Sequence, residues 1–273
     1  MAVTEELGAL MGVARKSWKV FLSYKVWFIS DILTGFFFVG NALLIGIGLT
    51  GRRYSSSLAE MTGYSDYILF AVLGFMVLGF AMSFLSGFVW SVVDELYAGT
   101  LEYSFAAPMR RITFFLGNIM VRLILNGLYL AVYIPLFVLI FGIKLDALAF
   151  LKGLLVLLLG IPGMIGLGLA AAGLVLYLKD PGPFVTILEM LLFALSGAMY
   201  PISILPRPLQ LMAKALPYAP TTEALRKVVA SGFSGAESQI LYLASVSLSY
   251  VLIGYAAYRW SERQARTVGL KSY

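Results

Sequence analysis

The chain has 273 residues, 60% of them hydrophobic and 12% charged, with a net charge of +6 and neither cysteine nor histidine. A mean hydropathy of +0.90 lies outside the range of soluble domains, and several apolar runs exceed the roughly 20 residues that cross a bilayer. The missing residue types exclude disulfides, thiolate chemistry, His-containing zinc or haem sites and any imidazole-based triad.

The apolar runs lack the period-2 alternation of a membrane barrel, so the expected fold is all-α, a polytopic membrane protein forming a single transmembrane domain over 1–273. The basic residues stand in short clusters beside apolar spans. That placement suits lipid headgroups rather than a phosphate-tracking stripe, so no nucleic-acid partner is expected. The first apolar run comes late and no small-residue cleavage site follows it, so no cleavable signal peptide is expected.

Residues 4–24 open the chain with Thr4 as N-cap and Glu5 and Glu6 in a first turn. Leu7, Leu10, Met11, Ala14, Trp18, Phe21 and Leu22 recur at the spacing of one helical face, with Arg15, Lys16 and Lys19 on the other. This predicts an amphipathic helix in the membrane interface, Trp18 at headgroup depth and the basic groups towards anionic lipid.

The first span is predicted from about Ile32 to Thr50, with Asp31 at its edge, and a polar loop over Gly51–Asp66 follows. Tyr67–Val93 is the second span. The third run, Ile112–Ile143, contains Arg122; taking Leu123–Gly142 as the membrane portion puts that arginine at the interface, where it can snorkel. Gly153–Leu178, interrupted by Pro162-Gly163, is the fourth span, and Phe184–Tyr200 a short fifth one containing Glu189. A carboxylate inside an apolar run marks a functional site or a structural partner for a nearby cation such as Arg122. Seven of the ten prolines fall between Pro181 and Pro220, so 201–235 is expected to be a broken, re-entrant segment. Ser238–Tyr258 is the last span, which makes six transmembrane helices.

Between the second and third runs lies a polar island, Asp94 to Arg111, with three carboxylates. It must face water. With one glycine and no proline before Pro108, residues 94–107 are expected to form a short helix, with Asp94 and Glu95 in its first turn and Glu95 and Glu102 projecting outward. An ordinary solvated loop is the plainer alternative. Lysine and arginine number eleven on the side of the chain ends and eight on the other. The N-terminal segment and the tail weigh most in that comparison, which predicts cytoplasmic termini, a cytoplasmic island and an external 201–235 segment in a cell membrane. No GxxxxGK[S/T] loop occurs, so nucleotide hydrolysis by the usual route is not expected in this chain.

Glu95-Leu96-Tyr97-Ala98-Gly99-Thr100-Leu101-Glu102, with Pro108 after it, resembles the acidic-x(3)-GTLE-x(5)-P signature of the ABC-2 type permeases. Leu195-Ser196-Gly197-Ala198-Met199-Tyr200-Pro201, then Leu205-Pro206, Leu216-Pro217 and Glu223-Ala224-Leu225-Arg226, is similar to that family's fifth-span and external-helix pattern. Met199-Tyr200 stands where the family often has an aromatic pair. The resemblance implies the membrane subunit of an ATP-binding-cassette exporter with no catalytic or metal-binding residue of its own. ATP and Mg would be bound by a separate ATPase subunit, and a second copy of the chain would complete the transporter.

The island would then be a coupling helix, with Glu95, Gly99, Thr100, Leu101, Glu102, Arg110 and Arg111 at the ATPase interface. The 201–235 segment would be an outer gate. Phe80, Met82, Phe84, Phe88, Glu189, Met199 and Tyr200 would be candidates for the cargo path, with the first, second and fifth spans lining it. A Met- and aromatic-rich path suits a hydrophobic drug-like or lipid-like compound, and stacking on sugar rings would suit a lipid-linked polysaccharide. A reading of another class is an ATP-independent channel or membrane scaffold.

Overall fold

A computed structural model describes residues 3–23, 25–100, 103, 111–144, 146–175, 178 and 181–268. Ten α-helices account for nearly all of them: α1 Val3–Ser23, α2 Lys25–Thr50, α3 Ser56–Thr62, α4 Tyr67–Tyr97, α5 Arg111–Phe141, α6 Ala147–Val175, α7 Pro181–Leu195, α8 Arg207–Ala215, α9 Tyr218–Ser231 and α10 Glu237–Val268. Five are long and apolar enough to cross a membrane: α2, α4, α5, α6 and α10. The sixth expected span, α7, has only 15 residues, about 22 Å at 1.5 Å per residue. Pro181 starts it at a position where a missing N–H costs nothing.

The shortening of α7 has a local cause. The Ser196 hydroxyl donates to the Phe193 carbonyl at 2.7 Å and accepts from the Ala198 N–H at 3.1 Å. Gly197 then takes φ +66, a left-handed turn that residues with a Cβ disfavour. The expected helical run to Tyr200 therefore stops at Leu195. From Pro201 the chain makes a 3-10 turn, Ile202–Ile204, and then the helix pair α8 and α9.

That pair is broken at its prolines and packs into the bundle. The Tyr218 hydroxyl at the start of α9 lies 3.4 Å from the Ala81 carbonyl, half-way along α4, and a Cβ on Gly163 of α6 would touch Pro217. Further along α9, Leu225 and Val229 lie against Gly153, and Arg226 reaches Phe70 near the beginning of α4. The hairpin thus dips to the middle of the bundle and returns to the end from which α4 starts.

Arg226 closes this arrangement. It is 6% exposed and donates to the Phe70 carbonyl from Nε at 3.0 Å and Nη2 at 2.8 Å, to Gly197 O at 2.8 Å and to Ala198 O at 2.7 Å. Its guanidinium carbon lies 3.4 Å from the Phe70 ring centroid. Its own carbonyl accepts from the Tyr64 hydroxyl. One side chain therefore joins α4, the break after α7, and α9.

Elsewhere α6 and α10 run side by side, with Gly166 against the Tyr250 backbone and Gly254 against Gly166. α6 continues through Pro162 as one helix, in keeping with a single fourth span, and α10 runs ten residues past Tyr258, the expected end of the last span. The loop expected over Gly51–Asp66 contains the short helix α3, capped by the Ser55 hydroxyl and by Gly63. Arg53 grips Asp66 at 3.1 and 2.6 Å and donates to the Phe141 carbonyl, pinning this loop to the end of α5. The hydrogen bond to Asp66 holds the Arg53 guanidinium above its ordinary pKa.

Removing Arg226 orphans buried carbonyls, each costing about 1–3 kcal/mol. Arg226→Ala should lower the thermal unfolding midpoint of the purified protein by several degrees or prevent its isolation. Arg226→Lys should rescue little, because one ammonium cannot span three carbonyls in a fixed fork.

Candidate functional site

Two regions bear on the expected site residues: a corner where α4 ends and α5 begins, and a cavity half-way along the bundle. At the corner, Asp94 and Glu95 do not open a separate helix. They lie in the last turn of α4, which runs to Tyr97, with Ala98 N bonded to the Asp94 carbonyl at 3.0 Å and Thr100 N to the Glu95 carbonyl at 2.9 Å. Gly99 ends the helix with φ +66, the left-handed C-cap that glycine supplies. The carboxylates thus sit at the negative end of the macrodipole, opposite to the order expected from sequence.

The unfavourable placement is offset by partners. Glu95 is 8% exposed and turned inward rather than outward. Its Oε1 accepts from Lys16 Nζ of α1 at 2.8 Å and its Oε2 from the Thr100 hydroxyl at 2.5 Å. Asp94, next to it, is exposed. Leu101, Glu102 and Arg110 lie outside the described residues, as does the side chain of Arg111.

α1 packs across the start of α5. Thr113 Oγ1 donates to Glu6 Oε2 at 2.5 Å and Ser17 Oγ to Asn118 Oδ1 at 2.7 Å, and Gly117 takes Val13 and the Leu10 carbonyl against its backbone. Ala14 is buried while Leu7, Met11 and Leu22 are exposed, so the expected apolar face is split between protein and surroundings. Trp18 is half-buried against Phe21, and Arg15 and Lys19 are exposed.

The cavity has a volume of about 620 Å³ and lies between α2, α4, α5 and α7. Its walls are mainly apolar and aromatic, with Phe38, Phe75, Tyr133 and Phe193 among them. Its polar groups are Asp31, Ser83, Asn126, Tyr129, Tyr133 and Glu189. Glu189 Oε1 accepts from Ser86 Oγ at 2.8 Å and Trp90 Nε1 at 3.4 Å, both on α4. The Tyr129 hydroxyl donates to Asp31 Oδ2 at 3.2 Å. Asn126 Nδ2 donates to the Gly79 carbonyl at 2.6 Å.

Of the residues expected on a path, Met82 and Glu189 line this cavity. Phe84 and Phe88 do not: they are 1% and 0% exposed, packed against Gly168 of α6 and, for Phe88, against Phe115 of α5. A 3.6-residue period sends them to the side of α4 opposite the cavity. Phe80 is half-buried against the core, and Met199 and Tyr200 sit in the break beyond α7, outside the cavity lining.

Sequence reasoning did not single out Arg226, Tyr129 or Asn126. Arg226 stood in the quoted Glu-Ala-Leu-Arg stretch, and one arginine inside a short helix flanked by prolines was the available signal. Arg122 lies one turn from Asn126, within electrostatic reach of Asp94 first, then Glu189 and Asp31. Among the described residues no metal-binding group of histidine, cysteine or carboxylates occurs.

A family model described as ABC-2 type transporter matches residues 10–230. The chain belongs to the ABC-2 type transporter family. It is a multi-pass membrane permease domain of that family. No curated protein matches the sequence. The cavity and, apart from Glu6, the α1–α5 contacts fall within the matched span.

The Lys16–Glu95 contact is half exposed, so its direct worth is about 1 kcal/mol or less. Lys16→Glu should nonetheless weaken the seating of α1, because it places two carboxylates together beside a helix C-terminus. Lys16→Glu combined with Glu95→Lys should restore wild-type protease protection of α1, whereas either single change should expose it.

Proposed function

We propose that the chain is the permease subunit of an ATP-driven exporter that works as a pair of copies, with ATP and Mg bound on a separate ATPase subunit. The observation that carries this reading is that one helix serves both regions. α4 presents Met82 to the cavity and ends at the Glu95 corner, 31 residues forming a continuous rod about 45 Å long. A push on the polar corner therefore tilts a wall of the cavity.

In this reading the segment from Asp94 to Arg111 faces the cytosol and seats against the ATPase. Glu102, Arg110 and Arg111 make the direct contacts, together with the exposed Asp94. Gly99 and Thr100 shape the turn, and Leu101 belongs to the same ATPase-facing set. Glu95 has a different role from the one expected: paired with Lys16, it ties the interfacial helix α1 to the end of α4, so that α1 moves with the corner. Arg15, Lys19 and Trp18 hold α1 at the headgroups.

Both chain ends lie in the cytosol, and α7 completes a sixth crossing together with the break at 196–201. The α8–α9 hairpin covers the outer end as a gate. The cargo is a hydrophobic drug-like or lipid-like compound drawn from the cytoplasm or inner leaflet. The volume and apolar walls of the cavity fall in the range of small-molecule sites.

The test is reconstitution with the ATP-binding-cassette ATPase that co-purifies with the chain. Glu102→Lys should still reach the membrane but lose permease-stimulated ATP hydrolysis and transport at least tenfold. Unchanged transport by that variant, or full activity of the permease without any ATPase, would favour an ATP-independent channel instead.

A further inference from the structure

The cavity between α2, α4, α5 and α7 carries a chemical bias that its apolar walls alone do not explain. Two carboxylates line it, Glu189 on α7 and Asp31 at the start of α2. Among the described residues neither has a lysine or arginine within 4 Å; the ion pairs are Lys16–Glu95 and Arg53–Asp66. Arg122 contributes an attractive field to both but does not line the cavity. Both hydrogen bonds to Glu189 fall on Oε1, and the bond to Asp31 falls on Oδ2. Among the described residues, no hydrogen bond falls on the other oxygen of either carboxylate.

A carboxylate held within the apolar thickness of a membrane is costly and is retained where it meets a partner or a water-filled cavity. Here the remaining wall is aromatic, with Phe38, Phe75, Phe193, Tyr129 and Tyr133 around the space. Aromatic faces attract cations through their quadrupole and bury apolar area at the same time. Among the described residues no lysine or arginine lines the cavity to serve an anionic ligand.

We infer that this cavity binds an amphiphile carrying a positive charge, with Glu189 and Asp31 as its counter-charges and the aromatic side chains around its apolar body. The inference narrows the cargo class within the exporter reading and rests on that reading for transport, though not for binding. Neutral and anionic amphiphiles of the same shape bring no positive charge to the two carboxylates and bind less well. The preference resides in charge rather than in contour.

Tetraphenylphosphonium and tetraphenylborate have the same shape and opposite charge, which makes them the direct probes. Trp90 beside Glu189 gives an intrinsic fluorescence readout. The full-length chain, purified in neutral detergent without ATPase or ATP, should show saturable quenching by the phosphonium at a concentration at least tenfold below that for the borate. Asp31→Asn with Glu189→Gln, checked for an unchanged unfolding midpoint, should abolish that preference. Equal affinity for the two ions in the wild-type chain, tighter binding of the borate, or a preference that survives the double substitution would each overturn the inference. Because no motor is present, such a failure leaves the coupling experiment with Glu102→Lys standing, and failure of that experiment leaves the binding result standing.

Discussion

Non-helical backbone in the interior of a membrane protein must find hydrogen-bond partners, because lipid offers none. This constraint is concentrated after Leu195, where α7 stops and the chain turns through Gly197. The Gly197 and Ala198 carbonyls at that break are taken up by the Arg226 guanidinium, which also caps the Phe70 carbonyl. Arginine suits this task because its planar fork presents several donors in fixed directions, and the Phe70 ring beneath it replaces part of its lost hydration. Without that stitch, neither the short α7 nor the buried turn at Pro217 has a stable place. The position of Glu189, and with it one wall of the cavity, follows from where α7 is held.

α4 connects this stitch to the rest. Near its start it gives Phe70 to Arg226; at its middle it gives Ala81 to Tyr218 and Met82 to the cavity; at its end it gives Glu95 to Lys16. Its inner flank, with Phe84 and Phe88, is locked against α5 and α6. A helix packed so tightly along one side moves as a unit. In the proposed mechanism, motion imposed at the corner is passed along α4 to the cavity and the hairpin together. A second cavity of about 390 Å³ beside the hairpin, lined by Glu60, Lys214, Glu223 and Lys227, lies near the start of this rod and is polar where the first is aromatic.

Much of the architecture was legible because membrane spans declare themselves by length and composition. An opening helix over Val3–Ser23 and five long apolar helices are present, although α2 begins seven residues before the expected first span and α10 ends ten residues after the expected last one. The misses have specific physical sources. The span over Phe184–Tyr200 read as one apolar run, but Ser196 and Gly197 stop the helix through side-chain and backbone geometry that hydropathy does not register. Asp94 and Glu95 looked like the first turn of a new helix by macrodipole logic, yet α4 continues through them because Lys16 and Thr100 compensate Glu95. Helix α3 was signalled by Ser55 and Gly63, its two caps, but was masked by a serine run that reads as loop. Phe84 and Phe88 share a helix with the cavity residues, and composition alone could not tell which side of that helix faces the open space. Glu189 was conspicuous as a carboxylate in an apolar run, while its partners Ser86 and Trp90 come from a helix about a hundred residues away in sequence, where no local pattern reaches.

The central claim is that the polar corner at the end of α4 faces the cytosol while the re-entrant hairpin faces outward, so that force applied on one side opens the other. The chain has no cysteine, which allows single reporters to be placed cleanly. Tyr97, 60% exposed at the end of α4, and Ser234, exposed beyond α9, would each be replaced by cysteine and treated in intact cells with a membrane-impermeant maleimide. The account predicts labelling of Ser234→Cys in intact cells and of Tyr97→Cys only after permeabilisation. Labelling of both from the outside, or of Tyr97→Cys alone, would contradict it.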